Sequence, residues 1–299
     1  MLRLLQRMQI NRCLVSFKQT AWDQCDCRKE EKTIEAGWNM ENDIILVCED
    51  SPEGIFTGVY EAYALRLSNA LPHERIRLQA GREAQPMLFA DYREVAADEV
   101  KAGKVMRTLE SRFMPEDYEA IWMALTAPAP EKAQAVYGSI VWGLSDKRKG
   151  SILQHLTDAN VRRLMELSRG AEKELQHMKG FLRFEELKNG LLSSVIRPKN
   201  AILSLLAVHF ADRLPMENFL IYDEGRQQYA LHPAGKEWFL MQGEEQDGQL
   251  SLSAGEEYYR ELFREFCHSI SIDERRNLKL QRNMLPLRFR PYMTEFAAK

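Results

Sequence analysis

The apolar period of the chain changes at Gly180, and that change limits the fold more than any other feature. Before it, Val161, Leu164, Ser168, Ala171, Leu175 and Met178 recur three and four residues apart, as on one buried face of an α-helix. Gly180 stands where such a helix would be capped. After it, Phe181 to Leu187 runs into Asn189-Gly190, a dipeptide whose backbone suits a tight hairpin turn, and Leu191 to Ile196 reads as the return strand. Pro198 leads into a helix carrying Ile202, Leu205, Leu206, His209 and Phe210. Phe219 to Tyr222, the turn Asp223-Glu224-Gly225-Arg226, and Gln227 to Leu231 predict a second hairpin, with Lys236 to Met241 as a further strand. This order implies an antiparallel sheet with flanking helices, an α+β fold.

Ahead of Val161 the pattern is mainly helical. Ile44 to Cys48 reads as a short buried strand, and Ser51-Pro52 as a helix cap followed by a first-turn proline. Phe56, Val59, Tyr60, Tyr63 and Leu67 follow at helical spacing. Gly54 and Gly58 favour close packing over a phosphate loop, because no Gly-rich run or lysine accompanies them. Further stripes are Ala102, Met106, Leu109 and Phe113; Tyr118, Ile121, Trp122 and Leu125; and Val136, Tyr137, Ile140, Val141 and Leu144. Ala127-Pro128-Ala129-Pro130 interrupts them, Asp146 to Gly150 is a polar turn, and Gly243 to Gly248 is an exposed acidic loop. Tyr258, Leu262, Phe266 and Ile270 lie four apart beside Tyr259, Phe263 and Cys267, which predicts a helix with that stripe in the core.

The first 39 residues differ in kind, holding three of the five cysteines with no sustained period. They are read as an unstructured extension or an over-extended reading frame, with Met40 as the true start. The body, 40–299, divides into a strand–helix start with helices (40–130), a helical stretch (131–180) and a sheet with C-terminal helices (181–299).

With 45% hydrophobic and 28% charged residues, the chain has the material for a packed core. A net charge of −3 excludes a general polyanion binder, so any nucleic-acid surface must be local. No run approaches a membrane span. An odd cysteine count without a secretory signal reads as reduced thiols of a cytoplasmic protein. Cys25-Asp26-Cys27 lacks a second pair at ligand spacing, so no metal site is expected, and no cofactor fingerprint, Walker loop or Gly-x-Ser-x-Gly elbow is present.

Two sets of residues could carry chemistry. Basic residues interleaved with aromatics can grip phosphates and stack bases. Lys179, Arg183, Arg197 and Lys199 flank the first hairpin, and Arg275, Arg276, Lys279, Arg282, Arg288 and Arg290 form a terminal cluster. From Asp273 onward, seven basic residues face three acidic ones while the rest of the chain is acidic. The second set is His177, His209, Asp223 and His232, with Asp212 and Tyr222 in reach of assisting; imidazoles exchange protons near neutral pH.

His177 to Phe184, preceded by Glu172 and Glu174, resembles a signature of a bacterial family described as DNA-repair or DNA-metabolism proteins. Ile202-Leu203 through Asp212-Arg213, Phe219 to Asp223, and the closing block from Tyr258-Tyr259 through Arg288 to Met293 are similar to its later blocks. Ser51 to Phe56 resembles its start, so the likeness covers residues 40–299. That resemblance implies association with a radical SAM protein, and a related domain occurs fused to uracil-DNA-glycosylase-like domains. Neither a Cys-x3-Cys-x2-Cys cluster nor a recognisable glycosylase signature is present here. The implied role is an accessory factor that binds DNA beside a radical SAM partner. The alternatives are an enzyme doing acid–base chemistry on a nucleotide or base, and a protein-interaction scaffold without DNA contact.

Overall fold

The computed structural model describes residues 43–81, 87–145, 150–243 and 251–296. The N-terminal extension with Cys13, Cys25, Cys27 and Met40, the polar residues 146–149, the acidic residues 244–248 and Lys299 lie outside the described residues. Two compact units are present.

The first unit comprises the described residues of Met1–Leu125 together with Ala129–Met165. Its strands β1 (Asp43–Cys48), β2 (Ile76–Ala80) and β3 (Ala90–Val95) form a parallel sheet ordered β2-β1-β3. Between β1 and β2 runs helix α1 (Pro52–Asn69), started by the Ser51 hydroxyl, which accepts from the Gly54 N–H at 3.0 Å, and by Pro52 in the first turn. Gly54 and Gly58 serve close packing: a Cβ on Gly54 would stand 2.5 Å from the Glu49 carbonyl oxygen, and one on Gly58 would collide with Cys48 Sγ. Helices α2 (Glu99–Arg112), α3 (Pro115–Leu125) and α4 (Lys132–Gly143) follow. Asp98 caps α2 through the N–H groups of Val100 and Lys101, and the buried Asp117 carboxylate accepts from Ser151 and Ile152. The β2 edge is partly closed, since the Leu78 N–H donates to Gln134 Oε1 on α4 and the Ala80 N–H to the Pro130 carbonyl. Phe56, Ile76, Leu109, Ile121, Tyr137 and Ile140 are fully buried.

The second unit comprises Thr126–Pro128 and Glu166–Lys299. Helix α5 (Ala159–Phe181), whose residues up to Met165 belong to the first unit, buries Val161, Leu164, Ala171, Leu175 and Met178 on one stripe. Gly180 lies inside its last turn and does not cap it. Strands β4 (Glu185–Glu186), β5 (Leu192–Ile196), β6 (Phe219–Asp223), β7 (Gln228–His232) and β8 (Phe239–Gln242) form one sheet in that order, and helix α6 (Leu203–Arg213) connects β5 to β6. Helices α7 (Ala254–Ser269) and α8 (Leu278–Met284) close the chain.

The expectation of an α+β fold with an antiparallel sheet is overturned. Helix makes up 53% of the structure and strand 17%, the first sheet is parallel, and the second is mixed. Both hairpins exist, with β4–β5, β6–β7 and β7–β8 antiparallel and Gly190 at φ +77 in the first turn. The break is at β5–β6, which pair in parallel because α6 crosses between them and returns the chain in the same direction. The molecule is a mixed α/β protein.

Candidate nucleic-acid interface

Helix α7 is turned against the usual sense of an amphipathic helix. Ser253 caps it through the Glu256 N–H and donates from its hydroxyl to Glu186 Oε2. Glu256 Oε2 accepts from the Glu186 N–H, Arg260 pairs with Glu185 at 3.3 Å, and Arg264 Nε donates to the Thr294 carbonyl at 3.0 Å. Positions 253, 256, 260 and 264 form a polar stripe pinned to β4 and Thr294, so the 3.6-residue period sends the opposite stripe outward. Tyr258 and Tyr259 are each 64% exposed, Phe266 is 53% and Ile270 59%, with Leu262 and Phe263 also open. The expected placement of this stripe in the core is thus reversed. Both stripes are continuous in the sequence, and the partners on β4 and at Thr294 decide which one faces inward.

The chain continues directly into cations. Arg275, Arg276, Lys279 and Arg282 are exposed on the 3-10 turn Asp273–Arg275, the link after it and α8. No ion pair holds any of the four among the described residues. The other six basic candidates are placed differently. Arg288 Nη2 pairs at 2.9 Å with Glu174, which is 2% exposed. Glu174 also accepts from the N–H groups of Lys199 and Asn200 and from Asn200 Nδ2, fixing the loop that carries Arg197 and Lys199. Arg183 pairs with Glu295 at 2.9 Å, and Arg290 lies over the Phe296 ring. Arg197 and Lys199 are exposed, Arg197 beside the Tyr292 hydroxyl, while Lys179 is half-buried near His209.

The four acid–base candidates have separate partners. Asp223 is buried at the end of β6, where its carboxylate accepts from the Gly225 and Arg226 N–H groups and from Arg226 Nη1 at 3.1 Å. Burial pushes its carboxyl above the usual range, against the pull of Arg226. His232 Nδ1 donates to the Glu217 carbonyl at 2.9 Å, with its ring stacked on Phe219. His177 stacks on Phe181 and meets the edge of Phe289; burial, then Lys173 and Arg288, hold its pKa down. His209 lies against Phe210 and is lowered by burial, then by Lys179 and Arg213. No hydrogen bond, ion pair or ring contact among the described residues joins two of the four.

The structure also organises His73, which nothing in the sequence singles out. Arg66 Nη1 donates to its Nε2 at 2.8 Å, so the other nitrogen carries the proton and meets the buried Tyr137 hydroxyl at 2.6 Å. Residues 73 and 137 are brought together only by the packing of the first unit. Among the described residues no group of His, Cys, Asp and Glu side chains could hold a metal ion, and no helix is long and apolar enough to cross a membrane.

A family model described as a domain of unknown function, DUF4130, matches residues 130–295. No curated protein matches the chain. A solved structure described as the DHH domain of a member of a family of ribosomal proteins is 14% identical, with a TM-score of 0.31 over 64% of this chain and 73% of that one. That likeness is too slight to carry an argument.

Proposed function

The chain belongs to the DUF4130 family, and on that premise we propose that it is a DNA-binding accessory protein acting through the α7–α8 segment. The observation that carries the reading is the outward aromatic stripe of α7 running straight into four cations that no ion pair holds among the described residues. Exposed Tyr and Phe faces stack unpaired bases, and free guanidinium and ammonium groups meet the phosphates between them, which is the pairing a single strand requires. The family resemblance of residues 40–299 supports a DNA-repair setting with a radical SAM partner. Separate partners for His177, His209, Asp223 and His232 make the acid–base enzyme the weaker reading.

The test is fluorescence anisotropy of the full chain with single- and double-stranded DNA across a salt series. The expected result is tighter binding of the single strand, with log affinity falling as log salt rises by about 0.7 per phosphate contacted. Lys279→Ala and Arg282→Ala each remove one such contact, lowering the single-strand salt slope by about 0.7. Tyr258→Ala and Phe266→Ala weaken binding by about 1–3 kcal/mol per stacked base. Absence of binding at low salt overturns the proposal. A scaffold reading would then take its place, because Leu262, Ile270, Leu280 and Met284 give the same segment an exposed apolar surface for a protein partner.

A further inference from the structure

The inner side of α7 borders a half-open cleft of ≈ 170 Å³ lined by β4, β5 and the segment Pro291–Thr294. Its lining brings together Arg183, Arg260, Ser193, Ser194, Glu185 and Thr294. The Nε atoms of Arg183 and Arg260 are buried with no hydrogen-bond partner. The half-buried Ser193 hydroxyl has no hydrogen-bond partner among the described residues, while Ser194, next along β5, is turned to the opposite, buried face. Two buried donors without acceptors and one half-buried hydroxyl therefore border one small space, and buried donors in a native fold are paired as a rule.

The two guanidinium groups are also held in place. Arg183 donates through Nη1 to the Gly180 and Leu182 carbonyls and through Nη2 to Glu295, and Arg260 Nη2 is ion-paired with Glu185. Each side chain is thereby oriented while its Nε stays uncommitted, which lowers the ordering cost of taking up a ligand. An acceptor with several oxygens on one centre satisfies such a set, and planar Arg groups beside hydroxyls match phosphate geometry.

We propose that this cleft is a binding site for a single phosphate group, taken from the end of a DNA strand or from a free nucleoside monophosphate. Glu185 in the lining and Glu295 behind Arg183 balance the two guanidinium charges, so the attraction comes from directed donors. A triphosphate gains nothing over a monophosphate there. The inference deepens the DNA reading and rests on it only for the strand-end source of the phosphate.

The experiment uses the full chain in two arms. In the first, titration calorimetry compares thymidine monophosphate, thymidine and inorganic phosphate. The nucleotide and inorganic phosphate are expected to bind and thymidine is not. Arg260→Lys, which keeps the charge and loses the Nε donor, weakens nucleotide binding about tenfold. Ser193→Ala, which leaves the ion pairs of the cleft intact, weakens it by a smaller factor and guards against a folding defect in the arginine variant. In the second arm, one oligonucleotide is compared with and without a terminal phosphate. A strand-end source gives tighter binding of the phosphorylated strand, an increment that thymidine monophosphate abolishes. A gain confined to the first arm assigns the cleft to free nucleotides. Nucleotide binding that survives the loss of all oligonucleotide binding upholds the cleft while removing the α7–α8 interface. No difference between nucleotide and nucleoside, together with equal affinity for the two strands, overturns the site.

Discussion

Replacing Glu174 with glutamine tests whether one carboxylate holds the loop that follows β5. Glu174 is 2% exposed, accepts three hydrogen bonds, from the N–H of Lys199 at 3.0 Å, the N–H of Asn200 at 2.8 Å and Asn200 Nδ2 at 2.6 Å, and is ion-paired with Arg288 Nη2 at 2.9 Å. Glutamine has the same shape but keeps one accepting oxygen, and its own NH2 turns toward the remaining donors. Hydrogen bonds to charged groups contribute about 1.5–3 kcal/mol each, and breaking a buried ion pair by changing one partner costs about 3–5 kcal/mol. Arg288 is 37% exposed and regains part of its solvation from water, so the lower end applies, about 3 kcal/mol. Urea unfolding measures the loss, and hydrogen exchange at the Lys199 and Asn200 amides locates it. Arg282→Ala, an unpaired surface change, should stay within about 0.5 kcal/mol of the parent. A Glu174→Gln protein that loses less than about 1 kcal/mol and keeps both amides protected would refute the reasoning.

Gly58→Ala forces a methyl group onto Cys48 Sγ and to 3.2 Å from Leu78 Cδ2, and should destabilise by about 1–3 kcal/mol in thermal or urea unfolding. Gly103→Ala, at a helical position with open space around it, should instead gain about 0.4–1 kcal/mol. Stability should also fall in mild acid. The folded pKa values of His73, His177 and His209 are all held below 6.5, chiefly by burial, so the unfolded chain binds protons more readily than the folded one. Their contribution is full above about pH 6.5 and is lost as pH falls through the lowered folded values. Urea midpoints between about pH 7.5 and 5 measure this, and His73→Gln should flatten the curve; a midpoint rising toward acid would contradict the assignment.

Where local chemistry decides structure, the sequence is readable. Ser51-Pro52 starts α1, Asn189-Gly190 turns the first hairpin, and the 161–178 stripe is buried on α5. Strand β2 carried a usable signal, since Ile76, Leu78 and Ala80 alternate with polar residues and point into the core. Strand β3, reading Ala-Asp-Tyr-Arg-Glu-Val, carried almost none, because as an edge it buries little. The parallel β5–β6 pair was hidden for another reason: strand direction depends on where α6 crosses, which no local pattern encodes. The interface was half legible. The cations of α8 stand out by charge, whereas the outward turn of α7 follows from Glu185, Glu186 and the Thr294 carbonyl, residues far from it in sequence. Arg288 shows the reverse case, a cation that reads as a phosphate contact and is bound to a buried glutamate.

The strand order of the first sheet sets a timetable for synthesis. β1 is the earliest described strand to leave the ribosome, yet it is the middle strand, with Ile44 registered on Ile76 and Asp43 on Ala90. Its apolar run from Ile44 to Val47 therefore has both edges open until the chain has grown past Ala80, and one edge open until it has grown past Val95. Helix α1 can pack on one face early, but parallel partners cannot be supplied by a nearby hairpin, so no early local structure covers its edges. For that interval the nascent chain presents an unpaired hydrophobic strand, the kind of segment that holding chaperones engage and that drives premature association.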